Sequence, residues 1–179
     1  MTSVTPSLTR HVLDTLRLIP DYPKPGIIYQ DITPVLRDGP LFRTVVEAMA
    51  EPFRELSVTH VLGIEARGFI LGGAVAVSLG AGFVPARKPG KLPWERVAES
   101  YDLEYGQDAL ECHRDGLPAP ARVLIVDDVL ATGGTARAAG QLARTLGAEV
   151  VGWSFLLEIG GLGGLEKLRG GITHVVAKR

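Results

Sequence analysis

The sequence predicts an α/β fold: a doubly wound, mostly parallel sheet with flanking helices and an inserted flap hairpin. Strand-like apolar runs alternate with helical patterns along the chain, which is the order that parallel sheets produce. Residues 123–126, Val-Leu-Ile-Val, form a short, β-branched, uninterrupted run that is typical of a strand buried on both faces. Residues 92–117 break the alternation with polar and aromatic residues, and they predict the flap beside the ligand-binding edge of the sheet.

Hydrophobic spacing predicts the individual elements in chain order. Amphipathic helices are predicted near Leu8 and Leu41, the second after Asp-Gly-Pro at 38–40, where proline suits a helix start. Further helices are predicted over 69–79, 136–146 and 162–168, and strands over 58–64, 83–86, 122–126, 150–157 and 172–177. The proline-rich residues 22–33 predict a surface loop with a restricted backbone.

Length, charge and cysteine content limit the classes of function. The chain has 179 residues, 46% of them hydrophobic, so a single domain over 1–179 is predicted. A net charge of −1 gives no overall attraction to nucleic acid or to an anionic membrane. The single cysteine excludes an internal disulfide, no secretory signal is recognised, and the uncharged residues 68–84 are glycine-rich and short for a membrane span. We therefore expect a cytoplasmic protein with small-molecule ligands and no nucleic-acid or membrane partner.

The strand at 123–126 leads into two carboxylates and a glycine-rich loop. Asp127 and Asp128 are followed by the loop residues Ala131, Thr132, Gly133, Gly134 and Thr135. Backbone N–H groups, threonine hydroxyls and a helix N-terminus favour an anion here, whereas the carboxylates need ribose hydroxyls or a magnesium-bound diphosphate. A sugar phosphate would satisfy both requirements, since it offers hydroxyls to the carboxylates and an anion to the loop. The stretch is neither a Walker A loop nor a Rossmann fingerprint, and its alternative reading is a strand that ends in solvated acids.

This stretch resembles the signature with which the phosphoribosyltransferase family binds phosphoribosyl diphosphate (PRPP). Four more segments resemble the members of that family that use adenine: Tyr-Pro-Lys-Pro-Gly-Ile (22–27), Glu-Ala-Arg-Gly-Phe (65–69), Arg-Lys-Pro-Gly-Lys-Leu-Pro (87–93) and Tyr-Asp-Leu-Glu-Tyr-Gly (101–106). The resemblance implies the type I phosphoribosyltransferase fold and a purine-salvage reaction of adenine with PRPP that gives AMP and diphosphate. It also implies a homodimer, with Mg²⁺ bound through the diphosphate and water rather than directly by the protein.

The resemblance assigns a role to each matching position. Asp127 and Asp128 would hold the ribose hydroxyls near the reacting carbon, Glu104 would exchange a proton with the purine, and the loop Ala131, Thr132, Gly133, Gly134 and Thr135 would hold the 5-phosphate. The diphosphate would be received by Glu65, Ala66, Arg67, Arg87, Lys88, Lys91 and Tyr105. Main-chain groups of Ile28 and Gln30, in a base-recognition segment of about 1–35, would hold adenine, with Val129 against its ring. Many relatives have arginine where this chain has Gln30.

Other interpretations stay open at this point. Without the resemblance, Arg67 is a surface arginine beside a glycine turn, the cations at 87–91 are solvated, and Glu104 is an exposed hairpin acid. The function could also be transfer to another purine base, or regulation of transcription or RNA by a PRPP-binding protein. No basic surface or extra domain supports a regulator, and a sensor would not need the motif at 101–106.

Overall fold

The computed structural model describes residues 6–103 and 106–179. The elements are, in chain order, α1 (Pro6–Thr15), β1 (Arg17–Pro20), β2 (Ile28–Asp31), α2 (Thr33–Arg37), α3 (Gly39–Ala50), a 3₁₀ helix (Glu51–Leu56), β3 (His60–Ile64), α4 (Arg67–Leu79), β4 (Gly82–Ala86), β5 (Arg96–Leu103), β6 (Gly106–His113), β7 (Arg122–Leu130), α5 (Gly134–Thr145), β8 (Glu149–Glu158), a second 3₁₀ helix (Leu165–Lys167) and β9 (Ile172–Lys178). Five strands form a parallel sheet in the order β4-β3-β7-β8-β9. The predicted fold class is confirmed.

The central strand β7 explains why the sheet is covered on both faces. Its residues 123–126 are fully buried, and successive side chains point to opposite faces. Val123 and Ile125 belong to the apolar cluster that contains residues of α5 and the flap, whereas Leu124 and Val126 belong to the cluster that contains residues of α1, α3 and α4. The uninterrupted apolar run is therefore the sequence signature of a two-sided core.

The flap is an antiparallel hairpin inserted between β4 and β7. Strands β5 and β6 pair from Arg96 opposite His113 to Leu103 opposite Gly106. The buried side chains of Leu110 and Cys112 join the apolar cluster on the α5 side of the sheet. The base of the flap is consequently part of the core, as the prediction of an inserted hairpin requires.

Three local predictions differ from the structure. The helix predicted over 162–168 is wrong, because only Leu165–Lys167 is helical, as a 3₁₀ turn. Leucines at 162, 165 and 168 imitate helical spacing, but Gly161 and Gly163 adopt φ of +77° and +68°, which an α-helix does not accommodate. Residues 22–33 are not only a loop, because β2 pairs with β1, and the short helix α2 was not predicted.

The uncharged stretch 68–84 forms most of α4 and the start of β4, as predicted. Residues of α4 pack in the core, where Leu71 and Val75 are fully buried. Among the helices in the described part of the chain, none is both long enough and apolar enough to cross a membrane.

Candidate active site

The glycine-rich loop after β7 encloses a small cavity at the carboxyl edge of the sheet. Strand β7 ends at Leu130, and α5 begins at Gly134 after Gly133 adopts a left-handed φ of +76°. The cavity is about 90 Å³ and is lined by Asp127 and by residues 129–136. All five predicted phosphate-loop residues, 131–135, therefore line one cavity beside an acid, at the N-terminus of a helix, where an anion is favoured.

A second loop supports this one, and the sequence analysis missed it. A Cβ placed on Gly133 would lie 2.6 Å from the Gly164 carbonyl oxygen, and one placed on Gly164 would lie 2.2 Å from the Ala131 carbonyl oxygen. The two backbones can approach this closely only because both residues are glycine. The glycine cluster at 160–164 was the available signal, but the leucine spacing concealed it.

The paired acids lie within β7 rather than after it, because the strand continues four residues beyond the predicted end. Asp128 is buried and accepts a hydrogen bond from Nε of Arg67. The Asp127 Oδ1 accepts the N–H of Asp128 at 2.9 Å. A Cβ on Gly68 would lie 2.8 Å from Asp127 Oδ1, so a glycine is needed where the start of α4 meets this acid. Helix α4 thereby carries Arg67 to the acids.

The electrostatics of the acid pair favour a proton on Asp127. Burial, and then the neighbouring Asp128 carboxylate, raise the pKa of Asp127, while the Arg67 charge opposes the shift. The ionised form of Asp127 is therefore disfavoured. Hydroxyl donors or a hydrated cation would supply what this carboxylate lacks.

We expect Asp127→Asn to stabilise the ligand-free protein. An acid whose pKa is raised by folding binds more protons when folded, so its contribution to stability falls as pH rises above the pKa of the unfolded chain. At pH 7 the neutral amide should raise Tm by about 2–4 °C, the effect of about 1 kcal/mol in a domain of this size. Thermal unfolding of the variant and the parent from pH 4 to pH 7 would measure the difference between their Tm values. This difference should become smaller as the pH is lowered toward 4. A variant that is less stable than the parent at pH 7 would contradict this electrostatic picture.

The second strand-to-helix turn, between β3 and α4, gathers the predicted diphosphate residues. The Glu65–Ala66 peptide bond is cis. The Glu65 carboxylate accepts the N–H of Lys88 at 2.9 Å and the Nζ of Lys91, and it lies 3.4 Å from Nε of Arg87. Burial alone would raise the pKa of Glu65, but these hydrogen bonds and charges outweigh it and lower the pKa. An ionised Glu65 therefore holds the basic loop beside Arg67.

Lys88 is the exception among these cations, because its side chain points to the flap. Its Nζ donates to the Tyr101 hydroxyl at 2.5 Å and to the Asp108 carboxylate. Burial lowers the pKa of Lys88, but the bonds to Asp108 and Tyr101 outweigh this and raise it, while the ammonium lowers the pKa of Asp108 against the effect of burial. Lys88 thus connects the basic loop to the flap.

Glu111 also joins the basic loop to the flap, and no pattern in the sequence predicted this. Its side chain is 9% exposed and accepts the Gly90 N–H at 3.0 Å and the Arg96 Nε at 3.0 Å. The main chains of Arg87 and Glu111 exchange two hydrogen bonds of 2.8 and 2.7 Å. Glu111 therefore holds the loop that carries the predicted diphosphate cations at two points, at Arg87 through its main chain and at Gly90 through its carboxylate.

For the reaction that the sequence resemblance implies, we expect Glu111→Gln to raise the KM for PRPP about tenfold and to leave the KM for adenine within about twofold. The glutamine amide would place its N–H₂ group against the N–H of Gly90 or the Nε–H of Arg96, so two donors would face each other. A mismatched buried donor costs about 1–3 kcal/mol. Steady-state kinetics with each substrate varied would measure the split. Glu95→Gln is the matched control, because Glu95 lies in the same region and, among the described residues, its side chain forms just an exposed ion pair with Arg114. Equal effects on both substrates would remove Glu111 from the positioning of this loop.

A larger, mostly apolar cavity adjoins the phosphate loop. It measures about 270 Å³ and is lined by Ile27, Ile28, Tyr29, Gln30, Arg67, Val129, Ala131, Ile159 and Leu162. It contains the three predicted adenine residues. The sequence analysis missed Leu162, which belongs to the segment 162–168 misread as a helix, and Ile159, which lies between that segment and the predicted strand 150–157. The Arg67 guanidinium lies 5.6 Å from the centroid of the Tyr29 ring at this cavity. Val129 and Ala131 line both this cavity and the phosphate cavity.

The hydrogen-bonding groups of the apolar cavity come from β2. The Ile28 carbonyl accepts Nε2 of Gln30 at 3.1 Å, and the strand partner of Ile28 is Pro20, which has no N–H to donate. Because a carbonyl oxygen has two lone pairs and Gln30 uses one, the other is available to an amino group. Two predicted site residues, Glu104 and Tyr105, lie outside the described residues.

Comparison with known proteins agrees with this arrangement. Residues 34–161 match the family described as the phosphoribosyl transferase domain. This range contains the paired acids, the phosphate loop and the basic loop. The match therefore identifies the class of protein as the phosphoribosyltransferases.

The more similar proteins narrow the class. The chain is 58% identical to an adenine phosphoribosyltransferase of Myxococcus xanthus over 153 residues, which are 86% of this chain and 83% of the relative. The crystal structure of adenine phosphoribosyltransferase from Rhodothermus marinus superposes with a TM-score of 0.93 at 49% identity, covering 98% of this chain and 100% of that one. The Saccharomyces cerevisiae enzyme, complexed with an imino-altritol bisphosphate and adenine, has a TM-score of 0.90 at 37% identity over 96% of this chain and 99% of that one. The chain belongs to the adenine phosphoribosyltransferase family.

Proposed function

We propose that this protein transfers the 5-phosphoribosyl group of PRPP to adenine, giving AMP and diphosphate in purine salvage. One observation carries the proposal: the phosphate cavity and the apolar base cavity meet at Val129 and Ala131. A nucleoside monophosphate has the same order of parts, a planar apolar base joined through a sugar to a phosphate. The basic loop, which Glu65 holds near Arg67 of the base cavity, would receive the departing diphosphate.

The mechanism follows from where the charges lie. As diphosphate leaves, positive charge builds on the ribose, and the enzyme gains rate by stabilising that state more than the ground state. Asp127 and Asp128 would hold the ribose hydroxyls beside the developing charge, and residues 131–135 would fix the 5-phosphate. Arg67 would pass from Asp128 toward the diphosphate as the ligand enters.

The basic loop would complete the diphosphate site. Arg87 and Lys91 are paired with Glu65, and Lys88 is paired with Asp108. These pairs keep the cations in place until a more highly charged anion arrives. Closure of the flap at 92–117 would then exclude water, which could otherwise capture the reactive sugar.

Magnesium would enter with PRPP. In the described part of the chain no group of three or more His, Cys, Asp and Glu side chains is placed to hold a metal ion. The donors present at the site are the Asp127 and Asp128 carboxylates, which suit contact through the waters that Mg²⁺ retains. The ion, when bound, supplies positive charge that neutralises the leaving diphosphate.

The family also suggests how the protein is assembled and where it acts. We propose a homodimer in which the basic loop at 87–91 serves the neighbouring subunit as well as its own. We further propose that it acts in the cytoplasm, where adenine and PRPP would be its substrates. Sedimentation with and without substrates would test the dimer.

The reaction itself is tested by product analysis. We expect AMP and diphosphate to accumulate in equal amounts from PRPP and adenine in the presence of Mg²⁺. Consumption of PRPP without AMP, or binding of PRPP without turnover, would favour the PRPP-binding regulator instead.

We expect Glu104→Gln to lower kcat about 100-fold while the Kd for PRPP stays within about twofold. General acid-base groups contribute about 10²–10⁴-fold, and the phosphate contacts are made by other residues. Single-turnover kinetics and a PRPP titration would separate the two effects. Glu99→Gln, the same change in the same hairpin, is the control. A Glu104 variant within threefold of the parent in kcat would exclude a catalytic role for this acid.

A further inference from the structure

A third cavity lies between α5 and the segment that follows β8. It measures about 350 Å³ and shares no lining residue with the two cavities of the candidate active site. Its lining is Arg137, Gln141, Arg144, Trp153, Glu166, Lys167 and Arg169. Four cationic groups therefore surround one concavity that contains a single carboxylate, in a chain with a net charge of −1.

These four cations differ from those of the active site in their partners. Arg67, Arg87, Lys88 and Lys91 are each paired with a carboxylate. Within residues 6–103 and 106–179, none of the four cations at the third cavity forms an ion pair. Among the described lining residues only the Glu166 carboxylate offsets their mutual repulsion, and a multiply charged anion would relieve the rest.

Two of the cations are nevertheless held in place. Arg144 donates to the main-chain oxygen of Arg169, and Arg169 donates to those of Glu166 and Leu168. Hydrogen bonds to neutral carbonyls orient the guanidinium groups without cancelling their charge. Arg137 and Lys167 have no side-chain hydrogen bond to any described residue, and they remain available to a ligand.

We propose that this cavity binds a small anion with several phosphate groups, at a site separate from the active site. The volume accommodates a di- or triphosphate, and guanidinium groups match phosphate oxygens with paired donors. The indole of Trp153 is 1% exposed, so it offers no face on which a base could stack. Recognition would therefore depend on the phosphate groups.

The location connects this cavity to the phosphate loop. Its residues Glu166 and Lys167 belong to the 3₁₀ turn that follows Gly164 directly, and Gly164 lies against Gly133 and Ala131. A ligand here would contact the same segment that supports the phosphate loop of the active site.

The test uses the fluorescence of Trp153 as a local probe. The chain has two tryptophans, and Trp94→Phe would leave Trp153 as the only emitter. Titration of this parent with sodium tripolyphosphate, without substrates or Mg²⁺, should give a saturable change in emission. In the same background Arg137→Ala/Lys167→Ala should weaken binding at least about tenfold, since both unpaired cations are lost. Arg37→Ala/Arg43→Ala removes the same charge from exposed positions of α2 and α3 that form no ion pair with any described residue, and it should bind as the parent does.

Specific outcomes would overturn the proposal. An unchanged emission, equal binding by both double variants, or the same response to sodium sulfate at matched ionic strength would each do so. Thermal unfolding checks that the variants fold. If the double variant does not fold, the single variant Lys167→Glu, at an exposed position, replaces it. Because no substrate is present, failure of the proposed adenine transfer would leave this measurement unaffected.

Discussion

With PRPP as the second substrate, adenine should be used at least about 10³-fold more efficiently than hypoxanthine or guanine. The Ile28 carbonyl, which has no strand donor opposite it, can accept the exocyclic amine of adenine. Hypoxanthine and guanine present an oxygen at that position, so two acceptors would face each other. Their neighbouring ring nitrogen is a donor instead of an acceptor, so an N–H of the β2 main chain would also lose its partner. Two buried mismatches at about 1–3 kcal/mol each, with the repulsion, reach this ratio.

Competitive kinetics with each base at matched Mg²⁺ would measure the discrimination as a ratio of kcat/KM. Gln30→Ala is the informative variant, because its side chain is lost while the main-chain groups stay. We expect the preference for adenine to persist in it. Comparable kcat/KM for hypoxanthine or guanine in the parent would exclude the adenine assignment and leave the broader transferase class in place.

Replacing Asp128 with asparagine should lower kcat/KM about 10³-fold. Removal of one group that stabilises transition-state charge costs about 10²–10³-fold, and here the same carboxylate also positions Arg67 through a hydrogen bond. The amide keeps the size of the side chain but loses the negative charge beside the ribose. Because substrate binding and the chemical step both depend on this charge, kcat should fall and the KM for PRPP should rise.

Steady-state kinetics would measure both parameters, with Asp38→Asn as the matched control. Asp38 accepts the Leu41 N–H at the start of α3, a capping role that asparagine fills equally well. The control should therefore retain activity. An Asp128 variant within tenfold of the parent in kcat/KM would show that this carboxylate has no electrostatic role in the reaction.

The parts of the molecule that sequence predicted well are those fixed by local pattern. The buried run at 123–126 defined the central strand, and the order of strand, acids, glycines and helix defined the phosphate loop. The break in alternation at 92–117 defined the flap. In each case neighbouring residues determine the backbone, so hydrophobic period and turn chemistry are sufficient.

The parts that sequence did not predict depend on contacts between distant residues. Glu111 lies 21 residues from Gly90 along the chain, and only the folded flap brings its carboxylate to that N–H. Gly164 supports Gly133 from another loop, and the spacing of leucines around it resembled a helix that its glycines do not form. The pairing of β1 with β2 was not predicted, because the prolines in this region indicated a loop. These prolines occupy positions where no backbone N–H donor is needed.

The crystal structure of this protein with AMP bound would test the central claim most directly, because it would show whether the two adjoining cavities hold one ligand. We predict the phosphate within the loop 131–135, the ribose hydroxyls at Asp127 and Asp128, and the base between the β2 main chain and Val129. AMP bound elsewhere, or with its base outside the cavity lined by Ile28 and Val129, would contradict the account.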